Sequence, residues 1–256
     1  MSYFGSTDYL IEVSKGNISG ASLINKFGAN ISLSSSYVPI SINGIYQTPQ
    51  ASAPETLFVK SNSANDTAGG VGAREVTIEG IAADGSLQTA SVATNGISNS
   101  ANFAGTWIRI FRIYVSESGT YATTSNQSHV GSIQVRSATS GVWGVIDNTS
   151  IAKSQSQIGA YTVPLGHTAY LLDYTVTLDS GKKVDFAFFS RENILQTSAP
   201  YSAMRLNFQE IGLAAPFTRR FPDPVKFPEL TDIGFLAKGA TTPSVTVDFN
   251  ILLIEN

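Results

Sequence analysis

The chain contains no cysteine and only two histidines among its 256 residues. Without thiols there is no disulfide framework, no thiolate metal site and no cysteine nucleophile. Two imidazoles leave little room for triads or zinc centres. His129 and His167 stand beside Ser128 and Gly166, with no second ligand at metal spacing and no Gly-x-Ser-x-Gly elbow, and read as turn or surface residues. Charge is scarce as well: 14% of residues are charged and the net charge is -3, where an ordinary soluble domain carries roughly 25%. Such a chain has no basic field to draw it to nucleic acid or to an anionic membrane. No apolar run approaches the about 18 residues of a membrane span. Met1-Ser2-Tyr3-Phe4-Gly5 lacks the basic and apolar regions of a secretory leader. The expectation is a protein made in the cytoplasm, with no cofactor, no metal, and no nucleic-acid or membrane partner.

Ser, Thr, Asn, Gly and Gln fill the polar positions instead, giving a wet, weakly charged surface suited to packing against copies of itself. Asn-x-Ser/Thr triplets at Asn17, Asn30, Asn65, Asn126 and Asn148 arise by chance in such a composition and are assigned no function.

The stretch Gly69 to Gly96 organises the first half. Val76 and Ile78 alternate with Glu75, Thr77 and Glu79, the period of a half-buried strand. Asp84-Gly85 then supplies a tight turn, and Leu87 to Thr94 returns to a second turn at Asn95-Gly96. Trp107 to Val115 carries bulky apolar groups on both alternating faces, which predicts a strand covered on both sides. Leu57 to Lys60, Ile133 to Arg136 and Val142 to Ile146 complete a first group of strands. Residues 147 to 160 are polar enough for a linker or crossover. Beyond them Tyr170 to Leu178, Val184 to Phe188, Met204 to Phe208, Ile233 to Ala237 and Val245 to Leu253 all alternate. Regular short strands with turn residues between them predict a sandwich.

Two segments break the pattern. Residues 1 to 34 lack periodicity apart from Leu23, Ile24 and Phe27, which allow one helical turn, and read as an extended arm. Pro216 to Pro228 reads as a surface excursion, because proline removes ladder donors, and its Phe and Arg content is of the kind enriched at interfaces.

Catalytic patterns are weak. Gly69-Gly70-Val71-Gly72 lacks the Lys-Ser/Thr of a phosphate loop and leads into a strand rather than a helix. Glu75 and Glu79 share a strand face about 13 Å apart, beyond the roughly 5 to 9.5 Å of a glycosidase pair. Trp107 and Trp143 lie inside alternating strands and read as core rather than sugar platforms.

Four pieces together touch most of the chain. They are Ser14-Lys15-Gly16 with Asn25-Lys26-Phe27-Gly28; Gly72-Ala73-Arg74-Glu75-Val76-Thr77-Ile78-Glu79-Gly80 running to Asn95-Gly96; Tyr161-Thr162-Val163-Pro164-Leu165-Gly166-His167-Thr168-Ala169-Tyr170; and Asp232-Ile233 to Asp248-Phe249. In these the chain resembles structural proteins of tailed bacteriophage particles, particularly of marine phages. The resemblance implies a virion component without enzymatic activity, assembled in the host cytoplasm.

The resulting expectation is an all-β protein: an N-terminal arm over 1–34, a first β-sandwich over 35–150, and a second, jelly-roll-like sandwich over 151–256. Its role would be to decorate or cement a capsid, with a tail or neck component, or a receptor- or carbohydrate-binding module, as alternatives. A polysaccharide-degrading virion enzyme ranks third. Expected partners are copies of itself, as a homo-oligomer for which a trimer would suit threefold lattice positions, and the major capsid protein. Candidate contact residues are Tyr9, Leu10, Phe27, Phe217, Arg219, Arg220 and Phe221.

Overall fold

The computed structural model describes residues 6–42, 53–121, 128–149 and 153–256. Asn126 and the residues 150–152 around the expected domain boundary lie outside them. Among the described residues one helix, α1 (Ser6–Ser14), precedes fifteen strands: β1 (Ala21–Asn30), β2 (Val38–Pro39), β3 (Phe58–Ser61), β4 (Ala73–Ala82), β5 (Leu87–Ala93), β6 (Trp107–Ser118), β7 (Ile133–Ser137), β8 (Gly141–Ile146), β9 (Ala160–Thr162), β10 (His167–Leu178), β11 (Val184–Arg191), β12 (Arg205–Leu213), β13 (Phe217–Phe227), β14 (Asp232–Lys238) and β15 (Val245–Glu255). The chain is all-β in class, and its described strand pairs are antiparallel.

Two sheets face each other as a jelly roll. One has the order β1-β15-β10-β13 and the other β2-β14-β11-β12, with β9 beside β14 in line with β2. The alternation that marked β10, β11, β14 and β15 is the inner face of this sandwich. Tyr174, Phe186, Phe188, Phe235 and Phe249 are buried together there, with ring centroids of neighbouring pairs 4.7 to 5.4 Å apart. Aromatic rings at these tilted spacings add to the hydrophobic gain of their burial.

The segment between β2 and β9 is an insertion with sheets of its own, β3-β7-β8 and β5-β4-β6. They enclose a second core holding Leu57, Val76, Ile78, Trp107, Ile110, Ile113 and Trp143. β6 is covered on both faces, as its sequence predicts. Trp107 and Ile110 enter the inserted core while Ile108 and Phe111 enter that of the jelly roll. The β4–β5 turn docks on the jelly roll too: the Leu165 amide donates to the Gly85 carbonyl at 2.8 Å. Gly85 has φ +89, and a Cβ there would meet Leu230 at 2.7 Å. Glycine is thus favoured at this position by its backbone angle, and a Cβ would have to displace the end of the Leu230 side chain.

The structure departs from the sequence expectations at three places. Ala21–Asn30 is no part of a loose arm, since it pairs residue for residue with Ile254–Val245 of β15. The helical turn lies earlier, at α1, which ends in a Schellman arrangement: the Gly16 amide donates to Val13 and the Asn17 amide to Glu12, at 2.9 and 3.0 Å. The strands over 21–39 belong with those after 160, so the jelly roll is discontinuous in sequence, and the expected boundary at 34/35 falls between β1 and β2, two strands of that same sandwich. Third, the proline-rich excursion is the edge strand β13. Its pairing with β10 jumps from Asp173–Arg220 to Leu171–Val225, and Pro222 and Pro224 sit in the bulge between them. Proline is tolerated there because an edge and a bulge need no donated N–H.

Candidate interaction surfaces

The seven candidate contact residues fall on two opposite edges of one sheet. Tyr9 and Leu10 lie half-buried on α1, and Phe27 half-buried on β1. Phe217, Arg219, Arg220 and Phe221 are on β13, with β15 and β10 between the two groups. Phe217 and Phe221 pack against the jelly-roll core. Arg219 lies over the rings of Phe208 and Phe221, at 5.0 and 5.3 Å, and pairs with Glu210 at 3.5 Å. Arg220 is exposed, in register with Asp173.

Sequence reasoning did not single out three further features. The first is the boundary between the inserted sandwich and the jelly roll. Arg109 of β6 and Asp232 of β14 are fully buried and form a two-pronged pair, with Nε to Oδ1 and Oδ2 at 3.1 and 3.0 Å and Nη2 to Oδ2 at 2.8 Å. Thr162 donates to the same carboxylate at 2.6 Å, and Arg109 Nη1 donates to the Ile108 carbonyl at 2.7 Å. Burial depresses the pKa of Arg191, an effect opposed by the Asp232 charge and reinforced by that of Arg109.

The second is a cavity of 440 Å³ at the same boundary, lined by residues that include Leu23, Lys26, Glu79, Phe111, Arg112 and Tyr161. Lys26 occupies an otherwise apolar strand position beside Phe249. Its ammonium donates to the Phe111 carbonyl and sits 5.6 Å from that ring. Burial, with the Arg112 charge adding and Glu79 opposing, lowers its pKa from 10.5 to about 7. The Tyr161 hydroxyl is pushed up, first by burial and then by Glu79.

The third is an open groove of 720 Å³ on the outer face of the β3–β7 pair, where Phe58 stands opposite Arg136 and Lys60 opposite Gln134. Asn62, Ile97 and Asn99 line its rim. It offers a ring, two cations and several amides to a ligand.

The remaining sequence candidates are structural. Trp107 and Trp143 are core. Glu75 accepts from Ser116 at 2.9 Å, and Glu79 pairs with Arg112 at 3.5 Å. The last glycine of the cluster, Gly72, packs against a buried carboxylate, Asp66, which accepts the Ala73, Val130 and Gly131 amides at 2.8 to 2.9 Å and the Ser61 hydroxyl at 2.6 Å. His129, read as a turn or surface residue, sits in the loop before β7 and is fully buried. Its Nδ1 lies 2.7 Å from the Gly131 carbonyl and its Nε2 accepts the Ser154 amide at 3.2 Å, which together require the neutral ring with its proton on Nδ1. Among the described residues no cluster of three or more His, Cys, Asp or Glu side chains could hold a metal ion, and no helix is long and apolar enough to cross a membrane.

No family model matches the chain, and no curated protein matches it in sequence. Among solved structures, weak neighbours include a viral capsid protein. The VP2 subviral particle of infectious bursal disease virus is 11% identical, with 85% of this chain and 75% of that one covered and a TM-score of 0.23. The isomalto-dextranase of Arthrobacter globiformis T6, complexed with panose, is 10% identical over 91% of this chain and 35% of that one, at 0.23. The tandem CBM22 domains of Paenibacillus barcinonensis Xyn10C are 11% identical over 93% and 94%, at 0.21. Likenesses this distant establish no common ancestry and no activity.

Proposed function

We propose that this chain is a non-enzymatic structural subunit of a bacteriophage particle, one that decorates or cements the head shell. The observation that carries this reading is the strand order β1-β15-β10-β13 over β2-β14-β11-β12. That double-sheet jelly roll is an architecture of capsid subunits, shared with lectin domains and cupins. Support at this level is fold analogy. In this role the two outer edges of the β1–β13 sheet divide the contacts. Tyr9, Leu10 and Phe27 would face one neighbour and Arg220 with the β13 bulge another, the major capsid protein or a further copy. The test is mass spectrometry and imaging of purified particles. Density on the head shell supports the reading, density along the tail or neck moves the subunit there, and absence from particles refutes the virion role.

The groove beside Phe58 supports a second reading, a carbohydrate-binding module. A ring for stacking and amides for hydroxyl groups are what sugar recognition uses. Glycan-array binding that is lost in Phe58→Ala would favour it, and no binding to any glycan would remove it.

A further inference from the structure

The jelly roll has four lateral edges, and three are blunted. β1 is covered by α1 and by the inserted half, through Lys26 on Phe111. β2 is two residues long and contains Pro39. β13 carries Pro222, Pro224 and four charged residues, Arg219, Arg220, Asp223 and Lys226. The fourth edge, β12, runs nine residues with neither proline nor lysine. Leu206 and Ile211 on it are 59% and 75% exposed, and Tyr201 and Met204 just before it are 47% and 48% exposed. A nine-residue edge that exposes Leu206 and Ile211 and holds neither proline nor lysine is a template for pairing with another strand.

We propose that β12 is the interface between two copies of this chain, joined antiparallel about a twofold axis between Asn207 and Phe208. The argument is register. Phe208 stands opposite Phe188 and Glu210 opposite Phe186, so both face the core side, as does Arg205 opposite Ser190. Leu206 stands opposite Phe189 and faces outward, which leaves Asn207 as an unpaired bulge. Five residues apart on a regular strand, Arg205 and Glu210 would face opposite sides; the bulge puts them on one side and turns their peptide groups to the same edge. Pairing two copies about this axis sets Arg205 of each against Glu210 of the other. Beyond that pair, Met204 meets Ile211 on the outer face, with Leu206 beside them. Shifting the register by one residue loses both matches. The present partners of these charges, Glu192 for Arg205 at 3.3 Å and Arg219 for Glu210 at 3.5 Å, are surface pairs of little worth alone. Both can extend into a four-charge row across the axis.

This names the self-association that a lattice subunit would use, yet it is tested on purified protein, so its failure is distinct from absence in particles. Sedimentation equilibrium is expected to show a dimer. Arg205→Glu alone, or Glu210→Arg alone, places like charges opposite each other twice and is expected to weaken the dimer about tenfold or more. Mixing the two single variants restores both attractive pairs in a heterodimer, and the double variant restores them in a homodimer. Recovery on mixing cannot come from misfolded chains. A wild-type monomer at every concentration, single variants that dimerise undiminished, or a mixture that fails to recover would each overturn the proposal.

Discussion

Arg109 and Asp232, 123 positions apart in sequence, join the inserted sandwich to the jelly roll through a buried pair in which one carboxylate serves a guanidinium and the Thr162 hydroxyl. Breaking such a pair costs more than the pair contributes, because a charge is left without water or partner. Arg109→Met is expected to destabilise the protein by about 3–5 kcal/mol in urea unfolding. Asp232→Asn should cost more, since it leaves two neighbouring cations, Arg109 and Arg191, without their shared anion. Arg109→Met/Asp232→Leu should recover much of the loss, and a double variant no better than either single one would contradict this account.

Lys26 predicts a specific dependence on pH. Its folded pKa is lowered from 10.5 to about 7, so between those values the unfolded chain holds a proton that the folded chain does not. Stability should rise with pH across this window, by at most about 1.4 kcal/mol per unit, and this contribution should level off below pH 7. In Lys26→Met that rise should vanish. Denaturation midpoints of both proteins between pH 7 and 10 decide the matter.

Asp66 holds together the glycine-rich loop before β4. Asp66→Asn replaces an acceptor-only group facing four donors, and should cost about 2–4 kcal/mol. Hydrogen exchange should quicken first at the Ala73, Val130 and Gly131 amides that it accepts.

Gly28 is where β1 touches the crossover from the inserted half. A Cβ there would lie 2.3 Å from the Gly159 nitrogen and from the Ile40 carbonyl oxygen, both backbone atoms that cannot rotate away. Gly28→Ala should therefore destabilise by about 3 kcal/mol, whereas Gly166→Ala, with open space around it, should show only the smaller cost of its positive φ.

How much of this was legible in the sequence depends on whether a side chain kept its strand's period. β15 was readable because Val245, Val247, Phe249, Ile251 and Leu253 all point inward. β1 was not, because its buried positions include a lysine and a glycine, Lys26 and Gly28, which a pattern of apolar residues cannot register. β13 hid behind its prolines, whose placement in a bulge depends on β10. In β12, Leu206 and Phe208 look like one face, but the unpaired Asn207 separates them. The boundary cavity and the groove beside Phe58 draw on strands far apart in the chain, so only the folded sheet assembles them.

The position of β15 between β1 and β10 also governs when the molecule can form during synthesis. Both neighbours leave the ribosome earlier, yet β1 has no strand partner, and β10 only β13, until residues 245–255 follow. The inserted sandwich pairs only within itself and can fold while the jelly roll waits as separated halves on either side of it. Nascent chains released before Val245 should therefore carry one folded module with an unclosed sheet on its flank, and these are the species a chaperone would meet.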